Sequence, residues 1–171
     1  MATTYTLINS NVLSSSAASV TFSSIPATYT DLVIRCSGRS DSSFSAALDL
    51  YVSFNGSTAT YSRTVLRAFG TTADSSTGSG SAYWTLSGVP GTPATSNTFG
   101  SVEIYIPSYT VSQNKPIGVV SVIENNSATV NRINAIAGLV NITAAVSSIK
   151  LETDGNFVSG SSFYLYGISN A

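Results

Sequence analysis

Histidine is absent from the 171 residues, cysteine occurs once (Cys36), and charged residues make up only 9% of the chain. Each shortage excludes something. Without imidazole there is no Ser-His-Asp or Cys-His relay and no histidine ligand for zinc. A single cysteine cannot close an internal disulfide, and with no base to activate it Cys36 is expected to be a buried small hydrophobe. Ordinary soluble domains carry about 25% charged residues, so here hydroxyl and amide side chains must supply most of the polar surface. The formal net charge is −1, and no Lys/Arg cluster offers a surface for phosphates, so no nucleic-acid partner is expected. Arg63 and Arg67 come closest to a basic patch; on a strand they would share a face, the expectation being that they decorate the surface. No apolar run approaches about 18 residues, so no membrane span is expected. Met1 to Ser10 lacks the basic start and apolar stretch of a secretory leader, which predicts synthesis in a cytoplasm. Asn55-Gly-Ser, Asn125-Asn-Ser and Asn141-Ile-Thr then read as turn or strand residues rather than glycosylation acceptors.

What is present is alternation. Leu32, Ile34 and Cys36 fall on one side of an extended segment; Leu48, Leu50, Val52 and Phe54 form the longest clean stripe. Val20 with Phe22, the run Tyr61–Phe69, Val102 to Ile106, Lys115 to Ile123, Ile149 with Leu151, and Phe163 with Leu165 continue it. Val130 to Val140 fits a strand better than a short helix. Asn55-Gly56 predicts a tight turn, hence a hairpin across Asn55 to Thr60. Gly70 to Ser81 and Gly88 to Asn97 read as long surface loops, and Asp154-Gly155 as a turn. About ten short strands at these spacings predict an all-β chain, a single domain over 1–171. The simplest architecture is an antiparallel two-sheet β-sandwich of jelly-roll type.

Candidate chemistry is sparse. No catalytic residue, cofactor or metal is predicted. Glu103 and Glu124 stand on separate predicted strands, and a glycosidase would need them within one substrate's width; otherwise they are solvated or edge-guarding acids. Tyr83 and Trp84, between two predicted loops, are the candidates for a glycan or partner contact, against the plainer role of filling a core or subunit contact. A surface of hydroxyls and amides is desolvated at lower cost than ions, so self-association is expected.

Several segments are familiar together: Ser19-Val-Thr-Phe-Ser-Ser-Ile-Pro with Tyr29-Thr-Asp-Leu-Val-Ile-Arg, Phe54-Asn-Gly-Ser with Tyr61-Ser, Asn97-Thr-Phe-Gly-Ser-Val-Glu-Ile-Tyr-Ile-Pro-Ser-Tyr, Asn114-Lys-Pro-Ile, and the closing Phe163-Tyr-Leu-Tyr-Gly-Ile. In this order they resemble small virion-associated proteins of tailed bacteriophages, common among marine and cyanobacterial phages. The resemblance implies a jelly-roll structural protein of the virion and supplies no catalytic residues. The function expected is a non-enzymatic capsid decoration or cement protein. It would be a homo-oligomer, a trimer, held on the major capsid protein or other virion proteins. The alternative is a tail-fibre or head-fibre module recognising cell-surface glycans.

Overall fold

The computed structural model describes residues 4–57, 60–81, 84–125 and 131–169. Among these the chain forms strands and no helix: β1 (Tyr5–Val12), β2 (Ala17–Phe22), β3 (Asp31–Gly38), β4 (Ala47–Phe54), β5 (Tyr61–Phe69), β6 (Thr72–Ser81), β7 (Trp84–Pro90), β8 (Gly100–Ile106), β9 (Lys115–Ile123), β10 (Arg132–Val140), β11 (Ile149–Phe157) and β12 (Ser162–Ile168). They make two antiparallel sheets, β1-β12-β3-β8-β9-β10-β5-β6 and β2-β11-β4-β7. The protein is a β-sandwich.

The alternating stripes are its core. Leu32, Ile34 and Cys36 of the larger sheet meet Leu48, Leu50, Val52 and Phe54 of the smaller one, all buried. Phe157 and Phe163 join the layers edge to face, with centroids 4.8 Å apart, a favoured aromatic geometry. Burial pushes the Cys36 thiol up to about 12, which suits an inert filler. At Gly88 and Gly100 the backbones of the two sheets meet directly: a Cβ on Gly100 would lie 1.9 Å from the Gly88 carbonyl oxygen.

Four expectations are corrected. The hairpin across Asn55 to Thr60 does not form, because β4 and β5 lie in different sheets. Asn55 does turn the chain, at φ 55°. Its side chain accepts from the Ser147 and Ser148 N–H groups and donates to the Ala145 carbonyl, so it ties β4 to the 145–148 segment instead. The tract 70–81 is no long loop: after the turn at Gly70-Thr71, β6 pairs along β5 from Phe69↔Thr72 to Tyr61↔Ser81. Backbone hydrogen bonds hold it, and its small polar side chains bury too little to leave a stripe. Similarly β7 extends through Gly88 to Pro90. Asp154-Gly155 is an irregularity within β11, not a turn between strands. Pairing with β2 resumes at Phe157, and Gly155 takes φ 76° where a Cβ would lie 2.5 Å from the Asp41 carboxylate.

Two of the scarce cations are used inside. The Arg39 guanidinium donates to the carbonyls of Ala94, Thr95 and Thr98, and the Lys115 ammonium to those of Val111, Gln113 and Thr143. Each gathers carbonyls of a non-strand segment that would otherwise be desolvated without partners.

Candidate interaction surface

The smaller sheet covers part of one face of the larger sheet and leaves the other face open. Along β5, β10, β9 and β8 that open face carries Leu66, Ile133, Val120 and Tyr105, respectively 63%, 51%, 52% and 40% exposed. Register makes the patch continuous: Leu66 lies opposite Ala135, Ala135 opposite Val120, and Val120 opposite Glu103. The next rank runs Thr64, Ala137, Gly118, Tyr105. Between the ranks is a shallow trough of about 500 Å³, floored by Gly118 and the alanines.

Among the described residues this part of the face holds few ions. Glu103 accepts from the Arg35 Nε at 3.0 Å, an exposed pair of small energetic worth. Asp31, at one end, accepts from the Tyr105 hydroxyl at 2.9 Å and from the Ser108 N–H at 2.8 Å. The first of these bonds holds the Tyr105 phenol above its ordinary value, helped by burial.

Arg63 and Arg67 share a face, as expected, but that face points inward. The smaller sheet ends at β7, which lies over β8 and β9, so the inner side of β10, β5 and β6 overhangs it. The Arg63 guanidinium donates to the Thr85 carbonyl, Asn134 to the Ser87 carbonyl at 3.2 Å, and the Ser121 hydroxyl to the same carbonyl. Thr85 and Ser87 belong to the free edge of β7, whose carbonyls need partners. Arg132 reaches the Ser87 hydroxyl at 3.3 Å, and Arg67 makes a two-bond pair with Asp74 at 2.8 and 2.7 Å. These groups enclose a cleft of about 180 Å³ with Asp49 in its wall. Burial holds the Asp49 carboxyl above its ordinary value, partly opposed by Arg63.

Glu103 and Glu124 do not meet. Val120 is the residue opposite Glu103, and four residues of strand from there to position 124 span about 14 Å; paired glycosidase carboxyls stand about 5–9.5 Å apart. Tyr83 lies outside the described residues. Trp84 opens β7 with its backbone opposite Val52. No group of three metal-ligating side chains gathers among the described residues. No family model, curated protein or solved structure matches this chain.

Proposed function

We propose that this chain is a non-enzymatic structural protein of a bacteriophage virion, a decoration or cement protein that braces the head shell as a homo-oligomer. The observation that carries the proposal is the open apolar face of β5, β10, β9 and β8. Exposed sheet faces in monomers are normally broken up by charge, and large contiguous apolar patches mark contact surfaces. The occupant that fits is a second copy. Strands of nine residues at ordinary spacings give a patch of roughly 19 Å by 30 Å. Two such patches in contact remove about 1,100 Å² or more, above the roughly 1,000 Å² that a biological interface should clear.

Topology supports the same reading. Two antiparallel sheets packed face to face are the layered arrangement that jelly rolls share, an architecture common in capsids. Sequence resemblance supplies the phage context. A protein that binds only the assembled shell stabilises it by mass action, and many copies add avidity.

The test is light scattering on the full chain together with sedimentation alongside heads lacking it. A trimer or other closed oligomer that sediments with heads is expected, and Val120→Asp should yield monomers with an unchanged far-ultraviolet spectrum. A protein that stays monomeric at the highest attainable concentration and leaves heads bare would overturn the reading.

A further inference from the structure

The other half of the open face, over β12, β3 and β8, differs in chemistry. Ser162, Ser37 and Ser101 stand directly opposite one another across the three strands. Adjacent strands put neighbouring hydroxyls about 4.8 Å apart. None of the three hydroxyls has a hydrogen-bond partner among the described residues. The next rank is Tyr164, Arg35 and Glu103, again in register. Tyr164 and Tyr166 form an aromatic platform, with centroids 6.5 Å apart and planes 27° from parallel. Tyr5 meets Tyr166 edge-on at 6.4 Å, which holds that ring in place. Low serines beside a tall rank of tyrosine, arginine and glutamate create a depression of about 480 Å³, within the ordinary range of small-ligand sites.

We infer that this depression binds a neutral sugar ring of a surface glycan. The tyrosine faces are electron-rich and apolar, so they fit the C–H face of a pyranose. Arg35 binds Glu103 through Nε alone, which leaves the terminal guanidinium N–H groups and the second carboxylate oxygen for a ligand. A donor fork beside an acceptor matches two adjacent hydroxyls, one accepting from Arg35 and one donating to Glu103. The serine row can take either part with the next hydroxyls. The Arg35–Glu103 pair is neutral as a unit, which favours an uncharged ligand; nucleic acid would require an excess of basic groups. The site is separate from Tyr83 and Trp84. It rests on the self-association reading in one respect: the second copy must cover the Leu66–Val120 side of the face and stop short of Glu103, which borders both depressions.

The experiment is a screen of the full-length protein against immobilised neutral glycans, followed by titration with the methyl glycosides of the sugars retained. Glu103→Gln keeps shape and removes the charged acceptor; Ser101→Ala removes one hydroxyl; Tyr164→Ala removes the platform. Each should weaken binding, Glu103→Gln by about tenfold or more, with an unchanged far-ultraviolet spectrum; oligomer mass should stay unchanged in Ser101→Ala and Tyr164→Ala, which lie off the apolar trough. No neutral glycan retained, or retention unaffected by all three variants, would overturn the site. So would a change in oligomer mass on Tyr164→Ala without any sugar signal, since the depression would then belong to the contact between copies. Oligomer mass and sugar retention are separate readouts, so failure here is distinguishable from failure of the self-association reading.

Discussion

Asp49 and Asp41 are carboxylates with opposite titration behaviour. The Asn156 backbone and side-chain N–H groups hold Asp41 below its ordinary value. Its contribution to stability is therefore present above the unfolded pKa and lost as pH falls through the folded one. Asp49 is raised, chiefly by burial. The folded state then binds its proton more tightly than the unfolded state, so its contribution favours folding at low pH and is lost as pH rises. Asp49→Asn should consequently raise the urea midpoint at pH 7 and leave it nearly unchanged at pH 3, where the native carboxyl is already neutral. An equal shift at both pH values would mean that packing, not charge, governs the site. Asn134 lies fully inside, donating to the Ser121 hydroxyl at 2.9 Å as well as to the Ser87 carbonyl. Asn134→Ala should cost about 1–3 kcal/mol in denaturant unfolding, because it leaves a buried carbonyl with fewer donors.

At the scale of elements, the strands that periodicity does not announce are β1 and β6, the two edges of the larger sheet. An edge strand pairs on one side, and these bury little, so no apolar stripe marks them. Most of the remaining strands were legible because burial on one face imposes period two, as in Gly100–Ile106 and Lys115–Ile123. Which strands pair was not legible. Asn55-Gly56 signals a turn, but a turn residue does not specify whether the chain returns in its own sheet or crosses to the other. The Asn55 clamp gives a direct check. Asn55→Gly preserves the positive φ and removes four side-chain hydrogen bonds, so it should cost about 1–3 kcal/mol. Asn55→Ala adds backbone strain and should cost more. If the two variants unfold at the same denaturant concentration, the left-handed conformation contributes nothing.

At the scale of the whole molecule, the sandwich has a packed interior and one uncovered face of distinct character. Phe157→Ala, at the junction of the layers, should cost about 3–5 kcal/mol by thermal or chemical unfolding, as a truncated buried aromatic does. Association through the apolar face should behave differently from an ionic contact. Among the described residues its border carries only the exposed Arg35–Glu103 pair and Asp31, so oligomer mass should persist in molar salt, where surface charges are screened. Dissociation by salt would locate the contact elsewhere.

The sequence by itself determined the class of fold and the core, because alternation specifies which side of each strand leaves water. It also determined that histidine-based chemistry is missing. The direction in which Arg63 and Arg67 point, the separation of Glu103 from Glu124, and the alignment of Ser162, Ser37 and Ser101 were decided only by tertiary structure. Alternation places two residues on the same side of their own strand, whereas register and sheet membership, set by pairings distant along the chain, decide what stands opposite them.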